Sequence, residues 1–285
     1  MIHKSGTEHL KGREDKMEQL VIVRGGGDIA TGAIHKLHRS GFQVVILEIE
    51  HPTAIRRKVA FSDAMYEKET IVEGIACKRA NTIQDIKTIL EEGKIPVIKD
   101  ENCDILNHMK PLALVDAILA KKNLGTKKEM APITIALGPG FEAGVDVDAV
   151  IETQRGHNLG RILLEGFAAP NTGVPGVIAG YGKERVIHSP ASGIIQNLSH
   201  ISDTVAKGQT IALIGETEVE ATIDGILRGI IKDGYPVHKG LKIADIDPRL
   251  EEKKNCFTIS DKARCIGGSV LGAILYLSKV KNLSI

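Results

Sequence analysis

The apolar positions of this chain come in short runs broken by glycine-rich turns. Leu20 to Arg24 (LVIVR) is rich in β-branched residues and predicts a buried strand. After GGG, residues Ile29, Ala33, Ile34 and Leu37 recur at helical spacing, and Gly41 stops the helix. Phe42 to Ile49 (FQVVILEI) predicts a second buried strand. The strand, glycine loop, helix and strand in this order argue for a parallel sheet with a right-handed crossover. Thr82 to Leu90 predicts a helix capped by Asn81 or Thr82, Ile95 to Lys99 a strand, and Pro111 to Lys121 (PLALVDAILAK) a further helix.

A charged stretch, Lys121 to Glu129, marks a boundary. Pro132 to Leu137 then predicts a strand running into GPGFEAG. Val150 to Thr153 and Arg161 to Leu164 predict strands around the turn QRGHNLG, and Ala168 to Gly182 is a glycine- and proline-rich loop. In the tail, CFTIS is strand-like and a last helix begins near Ser260, with Asp261 in its first turn. Its apolar positions Ile266, Val270, Ile274 and Leu277 should pack back on the core.

The strongest long-range pattern is an echo. Gly193, Val205, Lys207, Gly208, Ile211 and Ile214 recur as Gly225, Val237, Lys239, Gly240, Ile243 and Ile246, each 32 residues on. Two copies of a β-rich half-motif predict a small pseudo-two-fold barrel of the biotinyl/lipoyl type. The joint between the copies, Gly215 to Val219, has no lysine, so the module should carry no covalent biotin or lipoate.

The expected fold class is α/β: a Rossmann-like parallel sheet domain plus a biotinyl/lipoyl-like β barrel-sandwich module. The expected order is a flexible arm (1–19), a Rossmann-like nucleotide-binding domain (20–130), a glycine-rich middle segment (131–183), the barrel-sandwich module (184–250), and a C-terminal strand and helix packing on the core (251–285).

Composition narrows the partners. The net charge is +1, aromatics are 3% and Trp is absent, so nothing points to nucleic acid. No apolar run reaches the roughly 18 residues a bilayer span needs, and no membrane partner is expected. The polar N-terminus lacks a signal-peptide core. The four cysteines, Cys77, Cys103, Cys256 and Cys265, form no C-x-x-C pair, which disfavours structural zinc and suggests a reducing cytoplasm.

The candidate chemistry starts at Gly25-Gly26-Gly27-Asp28-Ile29-Ala30, a G-x-G-x-x-A after a strand. Gly25 allows the tight turn, Gly27 lets a phosphate approach the backbone, and Ala30 lets helix and strand pack closely. The helix N-terminus adds N–H donors and a positive dipole end. Glu48, 18 residues past Ala30, lies where a carboxylate meets a ribose hydroxyl in dinucleotide sites. Asp28 would repel pyrophosphate if it pointed into the loop, or else cap the helix. The candidate ligand is a nucleotide-type small molecule, NAD(P) or a molybdopterin nucleotide among them.

The second loop, Gly138-Pro139-Gly140, reads as a turn between strands, or as the lining of a polar site with Glu152, Arg155 and His157. Those three residues gather a carboxylate, a guanidinium and an imidazole, the parts of an acid–base site, and are the catalytic candidates. The alternative is a solvated hairpin turn. Arg56 and Arg57, beyond the second strand, could read a 2′-phosphate or simply be a solvated basic loop. No metal-ligating constellation stands out.

Several segments recur together in one order: RGGGDIATG, EIEHPTAIRRKVAFSDAMYE, VEGI, ALGPGFEAG, VIETQRGHNLGRI, PNTGVPG, IDGILRG with DIDPR, and TISDKARCIGGSVL. With these the chain closely resembles the YqeB family of selenium-dependent molybdenum hydroxylase accessory proteins, over roughly residues 21–277. It resembles xanthine dehydrogenase maturation factors more distantly. The resemblance implies a cytoplasmic accessory role in maturing a molybdenum hydroxylase or its molybdenum cofactor, with the hydroxylase or cofactor-maturation proteins as partners. It assigns no catalytic residue. Two other readings stay open: an NAD(P)-dependent oxidoreductase, and a non-catalytic scaffold docking the hydroxylase through the barrel module. The oligomeric state is open, a homo-oligomer included.

Overall fold

The computed structural model describes residues 19–173 and 176–285. The arm expected over residues 1–19 lies, but for Gln19, outside the described residues. The first strand, β1 (Leu20–Arg24), leads through GGG into helix α1 (Asp28–Arg39) and then strand β2 (Gln43–Glu48). A short helix α2 (Ala64–Glu67) precedes the hairpin β3 (Glu69–Val72) and β4 (Ile75–Ala80). Helix α3 (Ile83–Glu91) follows, with Thr82 as its cap. Thr82 Oγ1 accepts from Asp85 N at 3.1 Å, and the Asp85 carboxylate accepts from Thr82 N at 3.0 Å, a reciprocal capping box.

Strands β5 (Ile95–Lys99), β6 (Ala113–Asp116), β7 (Ile133–Leu137), β8 (Glu142–Ala143), β9 (Ala149–Ile151) and β10 (Ile162–Leu163) come next. One nine-stranded sheet results, in the order β10-β9-β7-β6-β1-β2-β5-β4-β3. Its inner pairs are parallel, and β10 and β3 run antiparallel at the two edges. Alternation sorts its side chains into two layers. Val21, Val23, Val44 and Ile46 pack with α1 and the last helix. Leu20, Ile22, Val45 and Leu47 pack with Ile86 and Ile89 of α3.

The segment expected as a helix over 111–121 is instead β6, buried at every position between β1 and β7. A short apolar run does not distinguish a buried strand from a helix by period, and the central sheet slot decides it here.

Strand β11 (Gly166–Phe167) pairs with β8. The remaining strands are β12 (Val186–His188), β13 (Gly193–Asn197), β14 (Thr204–Val205), β15 (Thr210–Ile214), β16 (Thr217–Glu220), β17 (Gly225–Ile230), β18 (Pro236–Val237) and β19 (Lys242–Asp247). They form two four-stranded sheets, β12-β19-β17-β14 and β16-β15-β13-β18, over a shared core of Ile195, Ile211, Leu227, Ile243 and their neighbours. The two halves exchange short strands, β13 pairing with β18 and β17 with β14.

The expected fold class is therefore corrected. The chain is mixed α/β with several sheets, not a Rossmann-like parallel-sheet domain plus a barrel. The main sheet is mixed and runs on to residue 163. Among its parallel crossovers only α1 and α3 are helices longer than a single turn, and the α1 face is completed by a helix from the far end of the chain. The repeat fixes strands and turns but not closure, and among the described residues the two sheets end at β12, β14, β16 and β18.

CFTIS is no strand. Leu250–Phe257 is a 3-10 segment, which leads to helix α4 (Asp261–Val280). Ser260 caps α4, its Oγ accepting from Ala263 N at 3.2 Å. By length and composition alone, Leu250–Val280 holds an 18-residue window apolar enough to cross a membrane, with a mean hydropathy of 1.2. In the structure Ala263, Ile266, Val270, Ala273, Ile274 and Leu277 are buried in the core beside α1 and β7. Gly32 and Gly267 allow the helices to touch: a Cβ on Gly32 would meet Ala263 O at 2.3 Å, and one on Gly267 would meet Gly32 O at 2.4 Å.

Candidate functional site

Parallel strands expose their C-terminal ends together, and here those of β1, β2 and β6 open on one cleft of about 500 Å³. Its lining includes Gly25, Gly27, Asp28, Glu48, Asp100 and Ala117. The glycine loop is held on both sides. Gly25 N donates to Leu47 O at 2.8 Å, Gly26 O accepts from Ser62 N at 2.9 Å, and Thr31 Oγ1 links Gly26 O to Phe61 N.

The three glycines have different reasons. Gly25 sits at φ +91°, with Ala117 O only 3.0 Å from where a Cβ would lie, and a Cβ on Gly26 would meet Ser62 N at 2.9 Å. Packing requires both to be small. Gly27 has φ −63°, and a Cβ there would meet nothing within 4 Å. The protein's own packing does not demand glycine at 27, and the space it leaves open belongs to the cleft. No side chain caps α1, so the positive end of that helix is offered there too. Ala30 is fully buried in the core, as close helix–strand packing needs.

Asp28 does not cap the helix. It meets the buried Arg56 guanidinium at 3.4 Å, so its charge is offset at the mouth of the loop. Glu48 turns back onto the loop, Oε1 accepting from Gly26 N at 2.7 Å and Oε2 from Ile49 N at 2.9 Å. Burial pushes its carboxyl above the usual range, and the two N–H bonds oppose that rise. The loop thus leaves an open approach at Gly27 and the helix start, while the Gly25 and Gly26 amides are already paired within the protein.

Sequence reasoning missed the wall of the cleft. Arg24 is buried and pairs with Asp116 at 3.2 Å. It also donates to Thr126 Oγ1 and to the carbonyls of Glu101 and Leu124, and Thr126 donates to Asp116 at 2.6 Å. The one available signal is a charged residue ending each of two apolar runs, LVIVR and LVD.

Of the catalytic candidates, Glu152 and Arg155 each hold partners outside the trio. Glu152 is buried, and its carboxylate is spent on Gln154 N (2.6 Å) and Ala169 N (2.7 Å), which fixes the β9–β10 turn against the chain after β11. Arg155 makes a two-point pair with Asp261 at 2.7 and 2.9 Å, which holds the Asp261 carboxyl well below the usual range. His157 is exposed on the turn. Gly138 (φ +78°) and Gly140 (φ +110°) are turn residues pressed on Thr153 and Lys122 respectively.

Arg56 and Arg57 are internal struts. Arg56 donates to the carbonyls of Asn255 and Thr258, and Arg57 to Ile230 O and to Asp63. A second cleft of about 470 Å³ lies alongside, lined by Thr153, Arg155, Asn171 and Lys262 among others. Burial, then Arg155, pulls the Lys262 amine below its ordinary pKa. Among the described residues no cluster of three or more His, Cys, Asp or Glu is placed to hold a metal ion.

The fold and cleft define a mixed α/β protein with a glycine loop and an uncapped helix start at the ends of parallel strands. No family model matches the chain. It is 50% identical over 259 residues to "Uncharacterized protein YqeB" of Escherichia coli (strain K12), covering 91% of this chain and 48% of that protein. That likeness supports the YqeB family for the matched residues, and the chain spans about half the length of the relative. Solved structures that align include the ectoine utilization protein EutE (DoeB) from Ruegeria pomeroyi, product-bound, at TM-score 0.23 and 10% identity over 79% of this chain and 56% of that one. Another is a succinylglutamatedesuccinylase/aspartoacylase from Rhodobacter sphaeroides, at TM-score 0.24 and 13% identity over 81% of this chain and 86% of that one. At TM-scores this low the superpositions carry no argument.

Proposed function

We propose that the chain binds a nucleotide, or a nucleotide-bearing cofactor, in the Gly27 cleft, as part of an accessory protein in the maturation of a selenium-dependent molybdenum hydroxylase or its molybdenum cofactor. The observation that carries the binding half is Gly27. It is a glycine that the protein's own packing does not need, beside an uncapped helix start and 21 residues before Glu48, a half-buried carboxylate that bonds the same loop. The pathway half is supported by the ordered motif series that the chain shares with the YqeB family.

Isothermal titration of the full chain with NAD, NADP, ATP and a molybdopterin nucleotide tests the first half. Binding by one of them, lost in Gly27→Val with the fold retained, is expected. Absence of binding by all four overturns it. The second half is tested by co-purification with a selenium-dependent molybdenum hydroxylase and by that enzyme's cofactor content when the accessory protein is deleted. Full cofactor loading without it overturns the pathway.

A further inference from the structure

Four arginines far apart in the sequence, Arg155, Arg185, Arg228 and Arg249, line one cavity of about 580 Å³ between the C-terminal sheets and the start of α4. Two carboxylates, Glu252 and Asp261, share the lining. Both already have cationic partners: Asp261 is bound by Arg155, and Glu252 faces Arg249 at 3.5 Å. Arg249 is occupied as well, gripping Asp247 through Nε and Nη2 at 2.9 and 2.8 Å.

Arg228 and Arg185 differ. The Arg228 side chain, on β17, is only 17% exposed. Its nearest carboxylate oxygen, on Asp245, is 3.8 Å away, beyond hydrogen-bond reach. Among the described residues its guanidinium has no hydrogen-bond partner. The Arg185 side chain is 7% exposed. It donates to Asp245 at 3.0 Å, yet its Nε is buried with no partner among the described residues. A buried donor left unpaired is costly, and Arg185 Nε is one; the partly exposed Arg228 fork, without a hydrogen-bond partner among the described residues, lines the same cavity and adds to the call for an acceptor.

We propose that this cavity binds a phosphate group. A guanidinium fork matches phosphate oxygens in charge and geometry. The donors come from separate segments, β17 and the turn before β12, with the positive end of the 20-residue helix α4 alongside at Ser260 and Asp261. Donors from several segments suit a tetrahedral group with three acceptor oxygens better than a flat carboxylate. Arg56 stands between this cavity and the Gly27 cleft, one nitrogen on Asp28 and the other on the Asn255 and Thr258 carbonyls. The two sites are thus neighbours with separate donors, and this one does not depend on the reading of Gly27.

The test is calorimetric titration of the full chain with inorganic phosphate and pyrophosphate at low ionic strength. Wild type should bind pyrophosphate. Arg228→Gln should weaken it by about tenfold or more, as loss of a charge-assisted fork implies, and by the same factor in Gly27→Val protein, where the other cleft is closed to phosphate. Arg228→Lys keeps the charge and serves if the Gln variant does not fold; it should still weaken binding, because the fork is lost. No binding to wild type at millimolar pyrophosphate, or undiminished binding in either folded Arg228 variant, overturns the proposal. ADP titrated into Gly27→Val protein separates the sources. Arg228-dependent ADP binding makes the ligand a nucleotide phosphate, and binding of phosphate and pyrophosphate alone makes it a free one.

Discussion

At the residue scale, the glycine loop separates packing from ligand contact. Gly25→Ala puts a Cβ at φ +91° against Ala117 O, and Gly26→Ala drives one into Ser62 N. Each should cost about 1–3 kcal/mol in urea unfolding. Gly27→Val should cost under about 1 kcal/mol, the scale of an N-cap change, and still remove nucleotide affinity. Equal destabilisation at all three positions would sink the distinction.

Glu48 gives a pH dependence. Its carboxyl is raised by burial, so it takes up a proton at a pH above the ordinary carboxylate value. The negative charge facing Gly26 N is then lost and that bond weakens, so nucleotide affinity should fall as pH drops from neutral, starting above the ordinary carboxylate range. Glu48→Gln should flatten that profile. The stability sign runs the other way. A raised folded pKa means that ionising Glu48 disfavours the folded state, so its contribution is lost as pH rises from the unfolded value through the folded one. Binding that holds level down to the ordinary carboxylate range would refute the assignment.

Gly25, Gly27 and Glu48 were legible in the sequence because a strand, a turn and a helix start lie within one local unit. Arg24 with Asp116, 92 residues apart, and Arg56 with Asn255, 199 apart, were not, since only the folded sheet makes them neighbours.

At the element scale, legibility followed local chemistry. Helix α3 announces itself by Thr82 and Asp85, and α4 by Ser260, because capping bonds form within four residues. The stretch that became β6 has no such signal, and its strand state is set by β1 and β7 on either side. The α1–α4 crossing is an element contact sensitive to substitution. Gly32→Ala places a methyl 2.3 Å from Ala263 O, so either the helices separate or the backbone shifts. A loss of about 1–3 kcal/mol is expected in thermal or urea unfolding. Gly268→Ala, whose Cβ meets nothing within 4 Å, should be neutral or stabilising, as replacing glycine inside a helix predicts. Similar losses in the two variants would show that close approach is not what Gly32 provides.

At the scale of the whole molecule, the 32-residue echo shows where sequence stops. Its strands recur at that offset because each half repeats the same turns, but how the two sheets seat on the main body depends on residues outside the repeat. Gly229 of β17 lies against the chain at Ile55, where a Cβ would meet Ile55 O at 2.8 Å and Arg56 Cγ at 3.2 Å. Next to it Arg57 donates to Ile230 O, and Lys232 pairs with Glu67. Arg56 carries this seat into the Gly27 cleft through Asp28 and to the arginine-lined cavity through the Asn255 and Thr258 carbonyls. Gly229→Val should therefore do more than lower stability by about 1–3 kcal/mol. Pushing the sheets off Ile55 withdraws Arg56 from Asp28, whose uncompensated charge then faces the phosphate approach at Gly27. Hydrogen exchange should rise along residues 55–58 and 226–232 together. Nucleotide affinity should fall although no cleft residue has changed, while Glu67→Gln, which removes only an exposed partner, leaves it intact. If Gly229→Val raises exchange in β17 alone and binding is untouched, the two parts are only neighbours and Arg56 does not join them.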